Sequence, residues 1–115
     1  MPRKRVVVTG YGMMSPLGPD VASTFSAARE GRSGIRRLRL FGTAGLPCEI
    51  GGEVETAWIG ERENPAHRRL EKFSTRGVRM MRVAAGEAAA AARLLHRLPR
   101  APDLHRDEAR RARVG

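Results

Sequence analysis

From about residue 65 to residue 95 the apolar residues recur in steps of three and four: Leu70, Phe73, Gly77, Met81, Ala84, Ala88, Ala91 and Leu95. That spacing predicts one long helix carrying a single apolar stripe. Much of the stripe is Gly and Ala, so it is narrow and a neighbouring helix can come close to it. Gly86 lies inside the same stretch and lowers its helix propensity by about 1 kcal/mol relative to Ala. After Leu98 the pattern stops. The stretch "PRAPDLHRDEARRARVG" carries Pro99 and Pro102, several arginines and few apolar residues. Residues 96–115 are therefore expected to be a basic, disordered tail.

The chain has 115 residues, room for one small domain. Aromatics make up only 4%, so a core must rest on Val, Leu, Met and Ala. The net charge of +10, from 22 Lys and Arg against 12 Asp and Glu, favours polyanions or acidic proteins as partners without choosing between them. The single cysteine, Cys48, excludes an internal disulfide framework and fits a reducing compartment. No stretch approaches the ~18 apolar residues of a membrane span. The apolar run near the start is only Val6, Val7 and Val8, too short for a signal peptide. The cytoplasm is the expected location.

The remaining elements follow from local signals. Residues 4–9 read as a short strand, with three consecutive β-branched valines suited to burial on both faces. Gly10 to Gly18 is a turn region, in which Pro16 blocks an early helix. A helix is expected after Pro19, capped by Asp20, with Val21, Phe25 and Ala28 on one face and Gly31 as its stop. Residues 35–41 and 48–54 read as extended, the second weakened by Gly51 and Gly52. Residues 55–65 read as irregular, with one short turn around Trp58.

The stretch "VVVTGYGMMSPLG", residues 6–18, looks like a strand entering a phosphate-binding loop. A dinucleotide fingerprint needs a third glycine and an immediate helix. Ser15 stands at that third position, Pro16 follows it, and the helix starts only near Asp20. The stretch therefore reads as a structural turn, and no cofactor-binding residue is assigned. Cys48 has no histidine near it in sequence and precedes an extended, Gly-containing stretch. It reads as a buried or inert thiol rather than a nucleophile. One cysteine with His67, His96 and His105 scattered has no metal-ligand spacing. The basic run "HRRLEK", residues 67–72, puts Arg68, Arg69 and Lys72 at the start of the long helix. Basic side chains there oppose the helix dipole, which tilts the run from a solvated face towards an anion-docking patch. Trp58, Tyr11 and three Phe form no aromatic–basic cluster, so nucleic acid is not the expected partner.

Taken together, "RVVVTGYGMMSPLG" followed by "ASTFSAAREGRSGI" resembles the N-terminus of the β-ketoacyl-acyl carrier protein synthases, the condensing enzymes of fatty acid synthesis. The family's opening, V-V-[VI]-T-G-x-G-x-x-[ST]-P-x-G, is matched through Thr9, Gly10, Gly12, Ser15, Pro16 and Gly18. The helix with a central aromatic is matched by Phe25, and the G-x-S-G-I turn by Gly31 to Ile35. Phe41, the "LPCEIGGEV" stretch and the "RRLEKF" helix start continue the similarity in order, from residue 4 to about residue 93.

The resemblance implies an α/β chain: the N-terminal part of a thiolase-like layered fold, incomplete here, over residues 1–95. It implies a cytoplasmic homodimer that moves an acyl group from a carrier protein to a cysteine. The enzyme then decarboxylates malonyl-carrier protein and condenses the carbanion with the acyl enzyme, in fatty acid or polyketide synthesis. No cofactor is implied, because substrates arrive on the phosphopantetheine arm of the acyl carrier protein. The family's catalytic cysteine and two histidines have no counterpart in Cys48, His67, His96 or His105, so no catalytic residue is assigned. Arg68 and Arg69 match the basic positions that contact the acidic carrier protein. The fading of the pattern near residue 93 points to an N-terminal piece, truncated or frameshifted and inactive alone. The competing reading is a small basic protein that binds nucleic acid or acidic proteins. A regulatory partner capping a full-length synthase is a third.

Overall fold

The computed structural model describes residues 2–94. Its order is helix α1 (Val21–Arg29), strands β1 (Ile35–Arg37) and β2 (Ile50–Gly52), helix α2 (Thr56–Arg62), a 3-10 helix (Pro65–Phe73) and helix α3 (Arg76–Ala91). The sequence-derived tail, residues 96–115, lies outside the described residues.

α1 forms where its caps dictate. The Asp20 carboxylate accepts from the Ser23 amide at 2.8 Å, and the Asp20 amide donates to Ser23 Oγ at 3.3 Å. This reciprocal pair closes the first turn and satisfies two amides that the helix leaves free. At the other end Gly31 adopts φ +71°. Its amide donates to Ala28 O and the Arg32 amide to Ala27 O, the double closure that a left-handed residue permits.

β1 and β2 pair antiparallel, with Ile35 opposite Gly52, Arg36 opposite Gly51 and Arg37 opposite Ile50. The expected extended stretches thus contribute three residues each. The Glu53 carboxylate secures the connection. It is buried, and it accepts from the Arg39 amide at 2.9 Å and the Leu40 amide at 2.9 Å.

Three expectations need correction. Residues 4–9 form no strand: Val6, Val7 and Val8 are 92%, 69% and 84% exposed. A strand is stable only when a neighbour pairs its backbone and covers its side chains, and none of the described residues does so. Residues 55–65 are not irregular but contain α2, whose Ile59 is only 1% exposed. Glu55 precedes it without a side-chain cap, which is why no start signal is visible. The long helix is two elements. Ser74 (φ −113°, ψ 127°) and Thr75 (φ −70°, ψ 161°) are extended, and Thr75 Oγ1 accepts from the Val78 amide at 3.4 Å to start α3. Two extended residues reset the helical phase, so Leu70 and Phe73 do not continue the line of α3. Both are exposed, as is Met81, while the buried residue of α3 is Val83.

The small residues of α3 do admit a close neighbour, though not a helix. A Cβ on Gly12 would lie 1.9 Å from Ala84 O, and one on Gly10 would lie 2.4 Å from Ala88 O. The glycine-rich turn therefore rests with its backbone on the Ala84–Ala88 face of α3. Glu87 completes this seat. Its two carboxylate oxygens accept from the Met13 amide at 2.9 Å and the Val21 amide at 3.1 Å.

Candidate docking face on the 3-10 helix

The basic run folds as the 3-10 helix because its start is well specified. Asn64 Oδ1 accepts from the Ala66 amide at 3.0 Å, and Pro65 occupies the first turn, where its missing N–H removes no bond. In this geometry side chains three apart eclipse each other. Arg69 and Lys72 consequently share one line along the helix, and Arg68 shares the next with Glu71. Arg68, Arg69 and Lys72 are all exposed. None of the three pairs with a carboxylate among the described residues.

The arginines of α3 behave differently. Arg79 forks onto Glu63, with Nε 3.1 Å from Oε1 and Nη2 2.7 Å from Oε2. The same Nη2 lies 3.2 Å from Glu71 Oε1. Arg82 Nη2 donates to Glu63 Oε1 at 3.3 Å and to Ser74 Oγ at 3.1 Å. Arg76 donates to Val54 O and to Thr56 Oγ1. Glu63 caps the C-terminus of α2, and its side chain is 8% exposed. The Arg79 hydrogen bonds hold its carboxyl below the usual carboxylate range. Glu63 and Ser74 flank the 3-10 helix and Glu71 lies within it, so α3 grips the segment that displays Arg68 and Arg69.

Sequence reasoning singled out Arg68 and Arg69 as the docking pair; both are exposed, on adjacent lines of the 3-10 helix. It missed the grip beneath them. Glu63 and Arg79 are sixteen residues apart across two helix boundaries, so no helical spacing links them.

Gly10 and Gly12 face the backbone of α3 and leave no space there for a phosphate. Cys48 is exposed rather than buried, its Sγ 3.3 Å from Ile50 O. Among the described residues no three His, Cys, Asp or Glu side chains gather as a metal site, and no helix is long and apolar enough to cross a membrane.

Residues 3–98 match the family model for the β-ketoacyl synthase N-terminal domain. The chain is similar to 3-oxoacyl-[acyl-carrier-protein] synthase 2 of Staphylococcus aureus, 34% identical over 92 residues, covering 79% of this chain and 21% of that protein. Proteins with the same name from Vibrio harveyi and Coxiella burnetii are 42% and 39% identical over 55 and 54 residues. These cover 48% and 47% of this chain and 13% of each relative. The chain thus spans about a fifth or less of the length of these relatives.

Proposed function

This chain belongs to the β-ketoacyl synthase family through its N-terminal domain, and we propose that it is the segment of a condensing enzyme that begins the fold and presents a docking face to an acyl carrier protein. The parent reaction is decarboxylative condensation of malonyl-carrier protein with an acyl thioester, in fatty acid or polyketide synthesis. In this reading residues 1–95 are the N-terminal part of a thiolase-like layered domain, and residues 96–115 are a tail. The full-length protein is a cytoplasmic homodimer, and its catalytic cysteine and histidines lie outside this chain. The apolar side chains left open here, Val6 to Val8, Phe25 and Phe73, are then covered by later parts of the layered domain.

The observation that carries the docking role is the exposure of Arg68 and Arg69, next to each other and without carboxylate partners among the described residues. A cation already paired within the protein is partly neutralised. These two are available to an acidic surface, and complementary charge speeds and orients such encounters. The substrates ride on the carrier's phosphopantetheine arm, so docking at this face delivers the acyl group without any cofactor held by the chain itself.

The test is titration of the 115-residue chain with a purified bacterial acyl carrier protein. We expect binding that weakens as salt rises and falls at least about tenfold in the Arg68→Glu/Arg69→Glu double variant. Salt-sensitive binding of DNA or RNA, with no carrier binding, would instead favour the small basic binding protein.

A further inference from the structure

We infer that Glu63 is a positioning residue for the carrier-docking face, acting through Arg79 and Arg82 to hold the 3-10 helix in the geometry that presents Arg68 and Arg69. This rests on the docking role proposed above and adds a residue to it. A 3-10 helix of nine residues is well beyond the three or four residues such helices usually sustain. None of its side chains is fully buried, and only His67 is half-buried, so packing holds it weakly. Polar contacts tie it and its flanks to α3: Arg79 to Glu71 within it, Arg82 to Ser74 just after it, and both arginines to Glu63 just before it. Glu63 is the common acceptor, fixing both guanidinium groups at once. Ser74 Oγ also donates to Leu70 O at 2.7 Å, closing the last turn.

Charge alone and positioning predict opposite signs. Glu63→Gln removes a negative charge close to a basic face. If charge alone mattered, an acidic partner would bind this variant more tightly. If Glu63 positions the face, binding weakens, because glutamine keeps only one acceptor oxygen and no charge for the two arginines, and the 3-10 helix loosens.

The experiment compares the wild-type 115-residue chain with Glu63→Gln, Ser74→Ala and Arg68→Glu/Arg69→Glu. Affinity for a purified bacterial acyl carrier protein and amide hydrogen exchange across residues 65–73 are measured for each. We expect Glu63→Gln to bind roughly three- to tenfold more weakly and to exchange faster at these amides. Ser74→Ala, which changes no charge and is expected to fold even if Glu63→Gln does not, should do the same to a smaller degree. The double arginine variant should lose binding while its exchange stays at the wild-type level. Unchanged or tighter carrier binding by Glu63→Gln and Ser74→Ala, with the double variant still impaired, overturns the positioning role and leaves the docking face standing. Absence of carrier binding by the wild-type chain overturns the docking face and the positioning role with it.

Discussion

The arginines of α3 and those of the 3-10 helix lie within fifteen residues of each other in sequence, yet they do different work. Arg76, Arg79 and Arg82 are spent inside the molecule, on Val54 O, Thr56, Glu63, Glu71 and Ser74. Arg68 and Arg69 have no such partners and face outward. These five arginines therefore form two populations: one fastens elements together, and the other is left to meet something else. Partners, not residue type, separate the fastening arginines from the outward ones.

The most damaging way to break this contrast is to remove what both groups stand on. Among the described residues Ile59 is the most deeply buried large side chain, in the helix that packs on α3. Ile59→Ala should cost about 2–5 kcal/mol in a denaturant titration. A variant that unfolds at the wild-type midpoint would show that α2 is not part of the core. Gly12→Ala comes next. Its methyl would meet Ala84 O at 1.9 Å, so the turn must lift off α3. A loss of about 1–3 kcal/mol is expected, as for other overpacked sites.

Arg79→Ala should act first on the fastening side, lowering the melting midpoint by several degrees because Glu63 loses its forked partner, and through the loosened 3-10 helix it should also weaken carrier binding. The same pair sets a pH dependence. Arg79 hydrogen bonding lowers the folded-state pKa of Glu63. Its contribution to stability is therefore complete above the ordinary carboxylate range and is lost as pH falls through the lower folded value. Thermal melts should be level from neutral pH to about pH 5 and decline below about pH 4.3. Glu63→Gln should make that decline shallower, and identical acid profiles would argue against the pair. The smallest effect on stability belongs to the outward group. Arg68→Ala and Arg69→Ala should each change it by no more than about 0.5 kcal/mol. A larger loss in a denaturant titration would mean that they fasten something after all.

Glu53 and Glu87 illustrate a kind of residue that sequence reading does not see. Each holds backbone amides of a distant segment: Arg39 and Leu40 in one case, Met13 and Val21 in the other. Such contacts have no period and no spacing. Helix caps are the opposite case. Asp20 and Gly31 act on residues within three positions of themselves, so α1 could be bounded in advance.

The sequence by itself determined the family, the capped first helix and the two extended stretches, because each is written in adjacent residues; their pairing came from the structure. The sequence also showed that α3 has a small-residue face. Only the tertiary structure decided what rests there: the backbone of Gly10 and Gly12, not a second helix. Only the structure revealed the break at Ser74 and Thr75 and the grip of Arg79 and Arg82 on Glu63. A period-3.6 pattern runs through two extended residues without registering them, and an ion pair sixteen residues long depends on how three helices meet.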